Sequence, residues 1–320
     1  MGPRDWVLAA VVVVLLSVAT AVGQFVKRQP HLGLNAAAIA TFNRRLGAWW
    51  IICALLGIAF ISPTLTVALF GLMSFWALRE FITLTPTRLG DHRALFWVFA
   101  FFTPLQYILV GYNSYELFSI FIPVYAFLFI PARVALAGDF KRFLERIAKI
   151  QSGLLICVYC LSFAPALLYL EVPTTAELHT TGSSANARLL FFFVAMALVS
   201  EALQFAWSQL YGRHVIAPTI NAARTWEGLI GGSASTALVG MVLHWATPYK
   251  FLWQTAFMSM VVAVMGFAGA MTMSAIKRDR GVRDYGTLVE GHGGVLDRID
   301  AICFAAPVFY HVSRQIFKIG

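Results

Sequence analysis

Long runs of apolar residues, separated by short polar interruptions, extend along the whole chain. The runs fall at residues 6–23, 46–62, 65–83, 94–111, 116–135, 151–170, 188–207, 228–246, 251–275 and 301–316. Most of them approach the roughly 20 residues that a helix needs to cross a bilayer. We therefore predict an all-α fold, a polytopic integral membrane protein with roughly nine or ten transmembrane helices.

The amino-acid composition supports the same class of protein. Of the 320 residues, 59% are hydrophobic and 12% are charged, whereas soluble domains average about 45–50% and about 25%. A water-soluble globule and a disordered chain are both excluded by these values. Four cysteines lie in apolar runs, which indicates helix packing rather than a disulfide framework or a zinc site: Cys53, Cys157, Cys160 and Cys303.

Most of the 24 lysines and arginines lie in alternate loops between the apolar runs. The positive-inside rule places these loops in the cytoplasm, so we expect a bacterial inner-membrane protein with its N-terminus outside. The net charge of +9 then reflects topology and anionic headgroups rather than a nucleic-acid partner. Residues 139–149 alternate apolar and basic positions, which predicts an interfacial amphipathic helix.

The chain divides into N-terminal transmembrane helices, residues 1–135, and a C-terminal transmembrane region, residues 136–320, with a polar loop at 274–300. That loop combines closely spaced glycines with charges of both signs. The bland interpretation is a solvated loop that anchors two helix ends. We favour a site for phosphate and Mg²⁺, because glycines allow close backbone approach and the charges suit both ions. Residues 297–300 are expected to begin a helix whose free N–H groups suit ion coordination.

The same loop resembles the signature of the phosphatidate cytidylyltransferase (CDP-diacylglycerol synthase) family. The matching positions are Ser274, Lys277, Arg278, Asp284, Gly286, His292, Gly293, Gly294, Asp297, Arg298 and Asp300. Residues 224–232 resemble the family's K-T-x-E-G-x-x-G-G segment, preceded by Gly212, Arg213 and Pro218 in the expected places. Arg79 and Glu80 are similar to an early basic–acidic pair of the family, and we interpret them as a structural or snorkelling pair.

The resemblance implies that phosphatidate and CTP are converted to CDP-diacylglycerol and pyrophosphate, with Mg²⁺ as cofactor, at the cytoplasmic membrane boundary. The catalytic residues that it implies are Lys277, Arg278, Asp284, His292, Asp297 and Arg298. The implied substrate-binding residues are Ser274, Arg283, Gly293, Gly294, Arg213, Arg224 and Glu227. The implied metal ligands are Asp284, Asp300 and Glu201.

The sequence also departs from the family pattern. The family's Gly-Asp before the signature is Gly269-Ala270, and alanine cannot bind a metal. Two interpretations follow. Glu201, Asp279 or Glu290 could supply the lost carboxylate so that activity is retained, or the chain is a non-catalytic or altered-substrate relative that binds nucleotide or anionic lipid. We favour retained activity, because most signature residues remain.

Two further features leave alternatives open. Glu201 lies inside a predicted span, where an ionisable residue usually faces a polar cavity, and we expect it to be functional. It is also the main hint of a transporter, the weakest alternative. The small-residue pairs Gly231-Gly232 and Gly266/Gly269 allow close helix approach either within one chain or in a homodimer.

Overall fold

The computed structural model describes residues 62–84, 87–172, 182–282 and 294–319, together with a few isolated positions before residue 62. The predicted spans 6–23 and 46–62 therefore fall almost entirely outside the described residues. Within the described ranges the fold is helical, and extended pairing is limited to one isolated antiparallel bridge between Val215 and Thr225. The predicted all-α class is confirmed.

Eight helices form the described part of the chain. The first four are α1 (Pro63–Thr83), α2 (Leu89–Trp97, Val98–Phe102 and Thr103–Gly111), α3 (Tyr115–Ile120, Phe121–Ala126 and Phe127–Ala135) and α4 (Phe143–Leu154, Leu155–Cys160, Leu161–Ala166 and Leu167–Tyr169). The others are α5 (Gly182–Tyr211), α6 (Trp226–Val242), α7 (Leu252–Asp279) and α8 (Leu296–Ile319), with a short 3₁₀ turn at His244–Ala246.

Six segments are long and apolar enough to cross a membrane: Pro63–Thr83, Gly90–Gly111, Tyr115–Ala135, Phe143–Tyr169, Ala185–Tyr211 and Leu252–Asp279. They correspond to six of the predicted runs. The runs at 228–246 and 301–316 form α6 and α8, which are helices but fall outside this set of six. The structure thus supports a membrane protein with six candidate spans among its described residues, and the predicted count of nine or ten is not confirmed.

α2, α3 and α4 each contain a π-helical turn, in which the backbone hydrogen bonds span one residue more than in an α-helix. The turns are Val98–Phe102, Phe121–Ala126 and Leu155–Cys160. Aromatic side chains join the first two, since the ring centroids of Phe102 and Phe121 lie 5.4 Å apart. Beside them, Gln106 of α2 donates from Nε2 to the Phe118 carbonyl oxygen and to Ser162 Oγ, both at 3.0 Å.

The loops that carry the predicted signature lie at one end of the bundle, which we call the signature end. It contains the last turn of α1 with Glu80, the loop 212–225, the last turns of α7 with Lys277 and the beginning of α8. Direct contacts join these segments, since Glu80 accepts hydrogen bonds from the beginning of α8 and Arg278 contacts the loop 212–225. Antiparallel helices thus collect residues that are distant in sequence.

Small residues allow close packing of α6 on α5 and of α7 on α8. A Cβ atom at Gly232 would lie 2.7 Å from the backbone nitrogen of Gln204, and one at Gly269 would lie 2.7 Å from the carbonyl oxygen of Asp300. Neither contact leaves room for a side chain. Gly231 and Gly266 similarly face Trp207 and Ala301, so these small-residue pairs pack within the chain. They therefore lend no specific support to a homodimer.

The prediction of an interfacial amphipathic helix at 139–149 is confirmed in part, since a helix with one buried and one exposed face is present. The helix begins at Phe143 and continues into the candidate span Phe143–Tyr169. Arg146 does not face an anionic surface. Its guanidinium is buried against Asp91, with Nε–Oδ1 2.8 Å and Nη2–Oδ1 2.5 Å. One of the basic residues, Arg146, is therefore paired with the buried Asp91 carboxylate of α2. The spacing of apolar and basic residues alone could not indicate this pairing.

Candidate active site at the signature end

The last turns of α7 present three predicted site residues: Ser274, Lys277 and Arg278. Ser274 Oγ donates to the Ala270 carbonyl oxygen at 2.7 Å and accepts from Asn221 Nδ2 at 3.2 Å. Arg278 Nε donates to the Ile220 carbonyl oxygen at 3.3 Å. These contacts attach the loop 212–225 to α7, and Asn221 is a contributor that the sequence analysis did not identify.

The beginning of α8 is joined to α7 by an ion pair. Lys277 Nζ lies 2.8 Å from Asp297 Oδ1, and both side chains are mostly buried. The other carboxylate oxygen of Asp297 accepts from the backbone N–H of Gly294 at 3.2 Å. Arg298 follows in the first turn of the same helix. The predicted helix start near residue 297 is confirmed, and two predicted catalytic residues from distant parts of the motif are in direct contact.

The backbone N–H groups at the beginning of α8 are not open to a ligand in the way the sequence predicted. Both oxygens of the Glu80 carboxylate are used here, accepting from Val295 N at 3.0 Å and from Leu296 N at 2.9 Å. Glu80 and Asp297 together therefore accept from three backbone N–H groups in the region that was expected to coordinate an ion, those of Gly294, Val295 and Leu296. Glu80 is structural, as we interpreted it, but its partner is α8 rather than a neighbouring arginine or the membrane surface.

A second polar group lies deeper, between α5, α6, α7 and α8. Arg224 donates from Nη1 to Gln204 Oε1 at 3.1 Å, and Gln204 Nε2 donates to the Ala263 carbonyl oxygen at 2.9 Å. The Arg224 guanidinium also lies 5.6 Å from the ring centroid of Phe267. Gln204, which is buried, thus links α5 to α7 and to the loop 212–225, and holds Arg224 towards the interior.

Two of the predicted metal ligands belong to this deeper group. Asp300 interacts electrostatically with Glu201, Arg224 and Lys277, so two carboxylates and two cations share one region. Carboxylate oxygens are the donors that a hard cation such as Mg²⁺ prefers. Among the described residues, however, no group of three histidine, cysteine or acidic side chains could hold a metal. Glu201 and Asp300 by themselves provide too few ligands for a Mg²⁺ site, and at least one more would be needed.

The three proposed replacements for the missing carboxylate at Ala270 differ in position. Asp279 Oδ2 lies 2.5 Å from Arg280 Nη2 at the exposed end of α7. Glu201 interacts with Asp300, as described above. Glu290 lies outside the described residues. Within the described chain, its electrostatic interaction with Asp300 favours Glu201 as the replacement.

Glu227, predicted to form a wall of the nucleotide site, clamps the turn that precedes it. Its carboxylate accepts from the backbone N–H of Arg213 at 3.2 Å and from His214 Nδ1 at 2.6 Å. Thr225 caps α6 by accepting from Gly228 N at 3.0 Å. The hydrogen bond from His214 is the main cause that lowers the pKa of Glu227 from 4.5 to about 2. His214, which the spacing of histidines did not single out, therefore belongs to this cluster.

This clamp leads to a pH-dependent prediction. A carboxyl whose pKa is lowered on folding contributes stability above its unfolded pKa of 4.5 and loses it as pH falls towards about 2. We expect wild-type protein to exceed Glu227→Gln in thermal unfolding temperature above about pH 5, and the difference to shrink as pH falls to 3. Differential scanning fluorimetry of both proteins in detergent would measure this. A difference that stays constant or grows at low pH would contradict the assigned clamp.

The remaining predicted site residues have different surroundings or are not described. Arg213 is exposed in the turn, and Gly294 is buried immediately before α8. Arg283, Asp284, His292 and Gly293 lie outside the described residues. The structure thus brings together Lys277, Asp297 and Gly294 in one group and Arg224, Glu201 and Asp300 in a neighbouring one.

Comparisons with known proteins agree with the motif. The model of the Cytidylyltransferase family matches residues 42–316. The chain is 36% identical to uncharacterized protein YnbB of Escherichia coli (strain K12) over 272 residues, 84% of this chain and 86% of that protein.

Two relatives named phosphatidate cytidylyltransferase are similar over shorter stretches. That of Staphylococcus saprophyticus is 30% identical over 140 residues, 43% of this chain and 54% of the relative. That of Mycobacterium leprae is 32% identical over 127 residues, 38% of this chain and 39% of the relative. The match thus covers about half or less of these two proteins, whereas the family model covers most of this chain. The chain belongs to the cytidylyltransferase family.

Proposed function

We propose that the protein is a membrane nucleotidyltransferase that joins the cytidylyl group of CTP to the phosphate of phosphatidate or a related anionic lipid. The products would be CDP-diacylglycerol and pyrophosphate. The observation that carries the proposal is the Lys277–Asp297 ion pair, which unites the two halves of the signature at the end of the bundle that also holds Arg224. Family membership and the names of the relatives support it.

In the proposed reaction, a lipid phosphate oxygen forms a bond to the α-phosphorus of CTP while the bond to the pyrophosphate oxygen breaks. Both substrates are polyanions, so the protein must bring negative charges together and align them. Lys277, Arg278 and Arg298 would neutralise this charge near the protein surface. Arg224, held by Gln204, offers a guanidinium fork suited to bidentate phosphate contact.

The expected Mg²⁺ would be held by Glu201 and Asp300 with Asp284 as a further ligand. When bound, such an ion stabilises the negative charge on phosphate oxygens. Asp297 has a different role in the proposal, because it holds the Lys277 ammonium in place before substrate binds.

The position of the site at the end of a membrane bundle suits a lipid substrate and a water-soluble nucleotide. The predicted orientation places this end at the cytoplasmic face of a bacterial inner membrane, where CTP is available. Most of the described basic loops lie at this end, which supports the orientation through the positive-inside rule.

The experiment that tests the proposal is a pyrophosphate-release assay on purified protein in detergent or nanodiscs. We expect release to require CTP, phosphatidate and Mg²⁺ together and to stop when any one is omitted. Release that continues without lipid would indicate nucleotide hydrolysis instead. No release under any condition would contradict the proposed reaction.

Ala270 gives specific grounds for a second candidate, a relative that binds nucleotide or anionic lipid without turnover. It follows Gly269, where α7 closely approaches α8 beside Asp300. The family's carboxylate is therefore absent close to a candidate metal ligand. If wild-type protein binds CTP but releases no pyrophosphate, and Ala270→Asp acquires release, the second candidate is correct. Activity of the wild-type protein that Glu201→Gln removes would support the first.

A further inference from the structure

We propose that Glu80 is a positioning residue of the active site, whose buried carboxylate fixes where α8 begins and thereby holds Asp297 against Lys277. The proposal deepens the proposed function and depends on it for its effect on turnover. Glu80 lies on α1, in the N-terminal part of the chain and far in sequence from the signature.

The evidence is an unusual way of capping a helix. α1 and α6 begin with short local caps, in which Ser62 and Thr225 accept from a backbone N–H three residues later. At α8, by contrast, the acceptor is a glutamate from another helix, separated by 215 residues from Val295. A local cap satisfies donors, whereas a distant one also fixes the position of the helix relative to its neighbour.

The Glu80 carboxylate is well suited to this role. It is 5% exposed, and each oxygen accepts one N–H, from Val295 and Leu296 respectively. A negative charge at this position is further stabilised by the dipole of α8. Hydrogen bonds to a charged acceptor are stronger than those between neutral groups, so the first turn of α8 is held firmly to the last turns of α1.

The contacts continue from this anchor into the candidate site. Asp297 follows Leu296 directly, and its carboxylate contacts both Lys277 Nζ and the backbone N–H of Gly294. A shift of the α8 start would therefore move Asp297 relative to α7 and change the direction of the Lys277 ammonium. In our proposal, Glu80 affects this ammonium through the position of α8.

The experiment combines hydrogen exchange with kinetics on full-length protein in nanodiscs. Glu80→Gln keeps the shape of the side chain but leaves a single acceptor oxygen, so one N–H of α8 would face an amide NH₂ group. Glu80→Asp keeps both acceptor oxygens on a shorter side chain. Glu116→Gln is the matched control, because Glu116 is exposed near the beginning of α3, away from the signature end.

We expect exchange of the backbone amides at 295 and 296 to accelerate about tenfold or more in Glu80→Gln, because a hydrogen bond to a charged group is lost. We also expect kcat for pyrophosphate release to fall about tenfold or more, with a smaller change in KM for CTP, and to be partly recovered in Glu80→Asp. The control should match wild type in both measurements.

The two readouts separate the possible failures. Unchanged exchange in Glu80→Gln overturns the positioning role whatever the activity. Accelerated exchange with unchanged kcat overturns its contribution to turnover and leaves a purely structural cap. Absence of pyrophosphate release in the wild-type protein contradicts the proposed function, while the exchange measurement still decides whether Glu80 fixes α8.

Discussion

Replacement of Lys277 by alanine is expected to lower pyrophosphate release by about a hundredfold or more, while the protein still inserts in the membrane. The ammonium would be lost from a site where two polyanions must meet, and preorganised charge of this kind is typically worth about 10²–10³-fold in rate. The same change leaves the partly buried Asp297 without its cation, which adds unfavourable negative charge near the substrates. The measurement is kcat for pyrophosphate release on purified protein at saturating CTP and lipid.

The matched control for this variant is Lys318→Ala. Lys318 is an exposed lysine in the last turn of α8, so the same charge is removed at the opposite end of the helix that carries Asp297. We expect wild-type turnover in the control and partial activity in Lys277→Arg, which keeps the charge but changes its geometry. Wild-type turnover in Lys277→Ala would exclude the assigned role.

The largest expected effect on stability is that of Asp91→Asn. Asp91 and Arg146 form a buried pair whose side chains are 2% and 4% exposed, and Asp91 also accepts from the Arg88 backbone N–H at 3.0 Å. Removing one partner of a buried pair typically costs about 3–5 kcal/mol, and we expect the lower end here because Arg146 Nη1 keeps a second carboxylate, Asp139 Oδ2 at 3.1 Å. We expect a correspondingly large drop in the thermal unfolding temperature of the detergent-solubilised protein.

Two variants distinguish this explanation from a region in which any substitution lowers the stability of the protein. Glu145→Gln breaks the neighbouring pair of the exposed Glu145 carboxylate with Lys149 and should lower the unfolding temperature only slightly. The double variant Asp91→Leu/Arg146→Leu should be less destabilised than Arg146→Leu alone, because the buried Asp91 carboxylate is then not left without its guanidinium partner. A double variant that is worse than either single one would show that the pair itself is strongly stabilising.

The membrane helices could be predicted because the bilayer imposes a direct requirement on sequence. A segment that crosses lipid must satisfy its own backbone hydrogen bonds and present apolar side chains, so runs such as 116–135 and 251–275 closely match Tyr115–Ala135 and Leu252–Asp279. α6 differs in being shorter than these spans, at 17 residues. Its close packing against Gln204 of α5 depends on tertiary contacts rather than on length.

The signature residues Lys277 and Asp297 could also be identified, because their spacing is characteristic. The partners of the residues that support them could not. Glu80, Gln204 and His214 act through partners 215, 20 and 13 residues away, and these separations correspond to no helical or strand period. A buried glutamate near a helix end has the same sequence pattern whether it pairs with an arginine or caps another helix.

The π-helical turns of α2, α3 and α4 have a consequence for how this half of the protein can vary. Each such turn contains one residue more than an α-helical turn, and one residue corresponds to about 100° of rotation around the axis. Deleting one residue within Val98–Phe102 would turn the π-helical turn into an α-helical one, so the rest of α2 would keep nearly the same rotation around its axis. Gln106 would then keep Phe118 and Ser162 as partners. Single-residue deletions in relatives are therefore expected inside these helices, and a correct alignment would place single-residue gaps there rather than in the loops.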